Sequence, residues 1–193
     1  MKISSVVLAK NEEKNIKSCI ESQLECIDEI IVLIDKGTTD NTVEIIKSFP
    51  SVKQELIEWK GFSKTKKYGI SLCTNNWIFW IDADETVTKE LSEEIREFKK
   101  SKPAFYAYSI PRKAFFLGRW IMHSGWYPGR VVRLFDRNFV DLSDDEIHEH
   151  LILKEKPDSN LKTGELRGIL EHYTDPDINH YFLKFNYYTT LAA

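Results

Sequence analysis

Over its first hundred residues the chain alternates between short apolar runs and stretches of helical or polar character. The run Ile3–Ala9, interrupted by Ser4 and Ser5, reads as a strand. Residues 12–23 read as a helix, 29–34 as a second strand ending at Asp35, and Lys36-Gly37-Thr38-Thr39-Asp40 as a turn. Thr39 or Asp40 can cap a helix through about Ser48. Residues 52–58 predict a third strand, and 62–73 a helix in spite of Gly69. The five apolar residues Trp77-Ile78-Phe79-Trp80-Ile81 read as a strand buried on both faces, and a charged helix follows near 88–100. Strands that alternate with helices imply βαβ units, right-handed crossovers and a Rossmann-like, mostly parallel central sheet with flanking helices.

The second half changes character. Residues 104–112, 130–135 and 147–153 read as strands, and 115–136 are rich in aromatics, glycine and arginine. Residues 177–193 predict a helix carrying Tyr181, Phe182, Phe185 and Tyr188. The chain stops on Leu191-Ala192-Ala193 without a helix stop signal, so it is expected to be truncated or to continue in the natural protein. No repeat, linker or low-complexity tract divides it. Residues 1–193 therefore read as one α/β domain, with 1–102 binding a ligand through the parallel sheet and 103–193 forming a mixed α+β half.

Ligands of such sheets bind outside the carboxyl ends of the strands. That rule places Ala9–Asn11, Asp35 and the cluster Asp82-Ala83-Asp84-Glu85 on one rim. Burying an unpaired carboxylate is very unfavourable, so the acidic cluster should face water, a cation or a ligand. If the chain stays extended, Asp82 and Asp84 point to the same side and make a hard oxygen site suited to Mg²⁺ or Mn²⁺. The bland alternative is a solvated turn. Asn11 and Glu12 could likewise merely cap a helix, and Asp35 could be an ordinary turn residue.

Composition narrows the class. The chain has 193 residues, 42% hydrophobic and 30% charged, which is ordinary for a globular protein. A formal net charge of −3 argues against general nucleic-acid binding. Cys19, Cys26 and Cys73 form no CxxC pair and read as buried free thiols of a reducing cytosol. No apolar stretch approaches a membrane span, and the N-terminus meets Lys10-Asn11-Glu12-Glu13 too soon for a signal peptide. A cytoplasmic protein is expected, peripheral at most at the inner face of the cytoplasmic membrane. The aromatic helix at the C-terminus could lie on that membrane or pack onto the sheet or further chain.

Three segments then carry a resemblance: Val6-Val7-Leu8-Ala9-Lys10-Asn11-Glu12-Glu13, Ile34-Asp35-Lys36-Gly37-Thr38-Thr39-Asp40-Asn41-Thr42, and Asp82-Ala83-Asp84-Glu85. In this order they resemble the family-2 glycosyltransferases of GT-A fold. Gly118-Arg119-Trp120, Gly125-Trp126-Tyr127-Pro128, Arg133-Leu134-Phe135 and His148-Glu149 resemble the lipopolysaccharide core branch of that family. The resemblance implies an inverting transfer of one hexose from a nucleotide-diphosphosugar, usually a UDP-sugar, to a cell-envelope saccharide or lipid-linked saccharide. It places Ala9, Asn11 and Glu12 near the nucleoside, Asp35 at the base and Asp82 at the ribose or metal shell. Asp84 would ligate Mg²⁺ or Mn²⁺, with His172 as a later ligand or diphosphate contact.

An acceptor hydroxyl needs a proton acceptor as it attacks. Glu149 is the candidate base that the resemblance favours, with Asp144 and Asp145 as alternatives. Lys64, in a cluster with Lys60, Lys66 and Lys67, could attract diphosphate or form a solvated helix face. Trp126 and Tyr127 belong either to the core or to a sugar-stacking wall, with Arg130 and Arg133 meeting anionic groups of the acceptor. Two departures stand out. Lys36 occupies the place of a frequent second aspartate, and the Gln-x-x-Arg-Trp signature of processive synthases is absent, which favours single-sugar transfer. The rival readings are a non-catalytic nucleotide-sugar-binding module and a nucleotidyltransferase, although no glycine-rich loop follows the first strand.

Overall fold

The computed structural model of the protein describes residues 1–143, 150–157, 160–175 and 177–192. In the first half, β1 (Ile3–Ala9), α1 (Ile16–Gln23), β2 (Glu29–Asp35), α2 (Thr42–Lys47), β3 (Lys53–Ile57), α3 (Phe62–Leu72) and β4 (Trp77–Asp82) alternate. The short β5 (Glu85–Val87) and α4 (Lys89–Phe98) follow. The second half runs through β6 (Ala107–Phe116), β7 (Arg119–Ile121), β8 (Gly129–Asp136), β9 (Val140–Leu142) and β10 (Leu151–Leu153). It ends with β11 (Gly164–Glu165), β12 (Leu170–Asp175) and α5 (Ile178–Ala192).

Among the described residues the main sheet runs β3-β2-β1-β4-β8-β6-β12-β5, with β7 and β11 paired to β6. The first four strands are parallel, as their periodicity predicts. Beyond β4 the sheet is mixed: β8 is antiparallel to β4 and β6, and β5 is antiparallel to β12. β9 and β10 form a separate antiparallel ribbon.

The apolar run of β4 divides by parity between the two faces of the sheet. Trp77, Phe79 and Ile81 join a core with residues of α1, α2 and α4, whereas Ile78 and Trp80 join a second core with Val6, Leu33 and Phe135. Period-two alternation in a strand covered on both sides requires this division. α3 covers the second face, and Gly69 lets it approach closely. A Cβ there would lie 2.6 Å from Val6 Cγ1 and 3.0 Å from Leu33 Cδ1. All three cysteines are buried free thiols, as expected.

Some boundaries differ from the sequence expectation. The segment before α1 is a turn closed by Asn15 and Ile16 amides donating to Glu12 O. The strand expected at 104–112 begins later and extends to Phe116. The short β5, β7, β9, β11 and β12 carry no periodicity long enough to register. Part of the expected strand at 147–153 lies outside the described residues.

At the amino end of the parallel strands, Glu29 accepts from Ser4 Oγ, from Lys53 Nζ at 2.6 Å and from Thr74 N at 2.8 Å. It thereby ties β1, β2, β3 and the approach to β4. Burial alone pushes its carboxyl up, but Lys53, Ser4 and Thr74 outweigh that and hold it at about 2. The folded value lies below the unfolded one, so this stabilisation is complete above about pH 4.5 and is lost as pH falls towards 2. Glu29→Gln should lower unfolding free energy by roughly 2–3 kcal/mol at neutral pH. In urea titrations the gap from the native protein should narrow steadily below pH 4.5.

Candidate active site

Register brings the carboxyl ends of β1, β2 and β4 side by side: Leu8 pairs with Asp82 and Ala9 with Ile34. Ala9, Asp35 and Asp82 close these three strands. Ala9 is buried in the core. Beyond it Asn11 takes a left-handed conformation (φ 55°), and its Oδ1 accepts from Thr39 N at 2.8 Å. Glu12 N donates to Thr42 Oγ1 at 2.7 Å, and Asn15 Nδ2 donates to the Glu12 carboxylate at 2.9 Å. The bonds from Thr39 and to Thr42 fasten the loop after β1 to the loop after β2 and the start of α2.

Asp35 is buried. Its Oδ1 accepts from Gly37 N at 2.6 Å, which shapes the turn. Its Oδ2 makes an ion pair with Lys10 Nζ at 3.4 Å but accepts no hydrogen bond among the described residues. A buried carboxylate oxygen without a hydrogen bond is unusual and suits a ligand N–H.

The chain does not stay extended past Asp82; it turns through Ala83 and Asp84 before β5. The two aspartates accordingly have different partners. Asp82 accepts from Arg133 Nη2 and its side chain remains 41% exposed. Asp84 Oδ2 lies 3.2 Å from His172 Nε2, and both side chains are about 15% exposed. Pairing of β12 with β5 sets this second contact, with His172 opposite Glu85 and Tyr173 N donating to Asp84 O at 2.8 Å.

Glu85 departs furthest from expectation. Instead of facing water or a ligand, it is completely buried. Its Oε1 accepts from Arg133 Nη2 at 2.6 Å and Arg112 Nη1 at 3.2 Å, and its Oε2 accepts from Asp82 N at 3.1 Å. Arg133, expected to meet an acceptor, is itself buried and bridges Glu85 to Asp82. Burial pushes the Asp82 carboxyl up, but Arg133 and Lys66 outweigh it and hold the group well below the usual carboxylate range. Arg133 is correspondingly raised: burial would lower it, but Asp82 and Glu85 prevail.

The lysine cluster divides. Lys66 is buried with its Nζ 4.6 Å from the centre of the Trp80 ring, and its charge acts on Asp82. Lys64 is exposed and lines an open cavity of about 520 Å³ with Lys36, Ile57, Glu58, Lys60 and Thr65. This cavity sits at the carboxyl end of β3 and the start of α3, beside the Asp35 turn. The burial of Lys66 and the pairing of Glu85 left no local signal in the sequence.

On the other side, Arg130 Nη2 donates to the Ser109 and Leu166 carbonyls at 2.8 and 2.7 Å. It thus braces β6 instead of presenting a free guanidinium. Trp126 is 43% exposed and packs its ring 5.6 Å from Phe116, with Tyr127 half-buried beside it. Glu149, Asp144 and Asp145 lie outside the described residues.

One carboxylate oxygen and one imidazole nitrogen at Asp84–His172 make a donor set compatible with Mn²⁺ or Mg²⁺. Among the described residues, no group of three or more His, Cys, Asp or Glu could hold an ion unaided. The residues fit a cation that takes its remaining ligands from water and a phosphorylated ligand.

A mostly parallel sheet with polar groups gathered at the carboxyl ends of β1, β2 and β4 is the arrangement in which α/β proteins bind their ligands. A model of the family described as glycosyl transferase family 2 matches residues 4–156, and the chain belongs to that family. It is 30% identical over 197 residues to an uncharacterized glycosyltransferase of Rickettsia typhi, covering 100% of this chain and 67% of the relative. It is 28% identical to the lipopolysaccharide core biosynthesis glycosyltransferase LpsC of Rhizobium meliloti, covering 99% of this chain and 70% of that one. The chain thus spans about two thirds of the length of these relatives. Its fold is similar to that of residues 1–349 of S. aureus TarS crystallised with UDP, at a TM-score of 0.54 and 15% identity, covering 91% of this chain and 61% of that one. A mycobacterial protein gives a TM-score of 0.62 at 14% identity, covering 91% of this chain and 68% of its own.

Removing one member of a buried ion pair leaves an uncompensated charge. Glu85→Gln, which removes the buried carboxylate shared by Arg112 and Arg133 and leaves Arg133 with Asp82, should lower unfolding free energy by roughly 2–4 kcal/mol in urea denaturation. A loss under about 1 kcal/mol would mean that water already solvates the cluster.

Proposed function

We propose that this chain is the catalytic domain of an inverting, divalent-cation-dependent hexosyltransferase. It would move one sugar from a UDP-sugar to a cell-envelope saccharide such as lipopolysaccharide core. The observation that carries the reading is the gathering of Asn11, Asp35, Asp82 and Asp84 at the carboxyl ends of adjacent parallel strands. The likeness to LpsC, a lipopolysaccharide core biosynthesis glycosyltransferase by name, supports the acceptor class, and the fold shared with UDP-bound TarS supports the donor.

In this reading Asp35 Oδ2, which accepts no hydrogen bond among the described residues, accepts from the base, and the segment from Ala9 to Glu12 borders the nucleoside. Asp82 meets the ribose or the outer shell of the cation. Asp84 and His172 would hold Mg²⁺ or Mn²⁺, whose charge when bound offsets that developing on the departing diphosphate. Lys64 and the other lysines of its cavity attract the donor's negative charge. On the acceptor side the exposed Trp126 and the half-buried Tyr127 stack against sugar. Arg130 supports that wall through β6. Glu149 accepts the proton of the attacking hydroxyl, and direct attack inverts the anomeric carbon; Asp144 and Asp145 are its alternatives. No membrane-crossing helix occurs among the described residues. A lipid-linked acceptor at the inner face of the cytoplasmic membrane would be reached peripherally. Exposed Phe182, Leu183 and Phe185 on α5 are the surface suited to that contact.

A panel of UDP-, GDP- and ADP-sugars with Mn²⁺ or Mg²⁺ tests the reading. Nucleoside diphosphate should be released from a UDP-sugar, and Asp84→Ala should reduce release by about 10²-fold or more. Glu149→Gln should retain donor binding and slow transfer by about 10²–10⁴-fold. Absence of release from every donor would overturn the reading. Donor binding with full indifference to both substitutions would favour the non-catalytic module.

A further inference from the structure

We propose that Arg112 determines acceptor specificity by pairing with an oxyanion, a phosphate or a carboxylate, carried by the acceptor sugar. The inference rests on the transferase reading above and deepens it by giving the acceptor a charge.

Three arginines stand on β6 and β8, and two of them are engaged inside the protein. Arg133 is buried between Glu85 and Asp82. Arg130 Nε donates to Ser109 Oγ at 3.0 Å, and its Nη2 donates to two backbone carbonyls. Arg112 differs. Its Nη1 donates to Glu85 Oε1 at 3.2 Å, and no other nitrogen of the guanidinium makes a hydrogen bond among the described residues. Its side chain is 32% exposed, whereas Glu85 is wholly buried. One end of the fork is thus anchored inside while the rest is open to water. Such a fork loses less freedom on pairing with an oxyanion than a mobile surface side chain does. Arg119 on β7 is exposed and has no such anchor, since it makes no hydrogen bond or ion pair among the described residues.

Strand register sets this guanidinium between the two parts of the proposed site. On one side β12 runs parallel to β6, with Leu170 beside Arg112 and His172 beside Ala114. Residues two apart on a strand share a face, so Arg112 and His172 stand on the same face of the sheet, one step apart. On the other side Arg112 pairs with Gly129 of β8, which has no side chain to screen it. Gly129 N donates to Trp126 O at 3.1 Å, so the turn that carries Trp126 and Tyr127 closes on the strand partner of Arg112. An acceptor sugar stacked on Trp126, with its hydroxyl towards Asp84 and His172, would pass this guanidinium. Arg133 displays the chemistry within the same cluster: a guanidinium held by Glu85 also takes a second carboxylate, Asp82. For Arg112 the second oxyanion would come from the acceptor. The neighbouring carboxylates do not oppose it strongly, because Asp82 and Glu85 are paired with guanidinium groups and Asp84 is in contact with His172.

Titration of the full chain with methyl glucoside, glucose 6-phosphate and glucuronic acid, in Mg²⁺ and saturating UDP and followed by amide chemical shifts, tests this. The native protein should bind at least one of the two anionic sugars about tenfold or more tightly than methyl glucoside. The two anionic sugars separate a phosphate acceptor from a carboxylate one. In Arg112→Gln, checked for folding by circular dichroism, the three affinities should agree within about twofold, because the guanidinium that distinguishes them is gone. Arg119→Gln should keep the native preference. A merely structural role at Glu85 would weaken the protein without moving this ratio. Should Arg112→Gln fail to fold, Arg112→Lys decides: it keeps a cation for Glu85 but lacks the planar fork, and the preference should fall about threefold or more. Equal affinities in the native protein, or no binding of either anionic sugar, overturn the proposal. So does a preference that survives in folded Arg112→Gln, or in Arg112→Lys where that variant decides, or one that is lost in Arg119→Gln instead. If UDP fails to bind the native protein, the donor reading falls and this inference with it. If UDP binds and the preference is absent, this inference alone falls.

Discussion

The rim of this protein depends on a charge balance at the end of β4. Glu85 is wholly buried beside the half-exposed Asp82, and the guanidinium of Arg133 bridges the two carboxylates. The requirement reaches through the sheet. Arg133 must come from β8 beside β4, Arg112 from β6 beyond it, and Glu85 from β5 at the far edge of β12. The mixed half of the sheet therefore does more than cover the parallel half: it supplies the cations that let the parallel strands end in carboxylates.

The same arrangement explains why β12 matters to a site whose other residues lie in the first hundred. Its pairing with β5 brings His172 to Asp84, and its backbone holds Asp84 through Tyr173. Asp84 is thus aimed by a strand about ninety residues downstream, while Asp82 is aimed by β4 itself and restrained by Arg133. The two aspartates, neighbours but one in sequence, belong to different supports and take different parts in the proposed chemistry.

How far the sequence could be read follows from the range of each interaction. The parallel half was legible because each of its elements carries its own periodicity: the apolar runs of β1, β2 and β4 and the polar turns after them are local signals. Strand polarity then placed Ala9, Asn11, Asp35 and Asp82 on one rim before any contact was seen. The short strands β5, β11 and β12 exist because distant segments pair with them, so two to six residues in isolation say nothing. The burial of Glu85, the turn at Ala83–Asp84 and the inward position of Arg133 share that origin. An acidic cluster looks solvated until the arginines that neutralise it are known to lie beside it. Arg130 and Arg133 illustrate the same point, since one braces backbone carbonyls and the other bridges carboxylates, although both resemble acceptor contacts in sequence.

The central claim is that Asp84 and His172, at the carboxyl end of β4, form the protein's part of a donor and cation site. The most direct measurement is a crystal structure of the chain with Mn²⁺ and UDP, with the ion located by its anomalous scattering. The account predicts an anomalous peak about 2.0–2.3 Å from Asp84 Oδ2, shared with the diphosphate, and the uracil ring beside Asp35. A nucleotide bound elsewhere, or bound at this rim with no ion at Asp84, would contradict it.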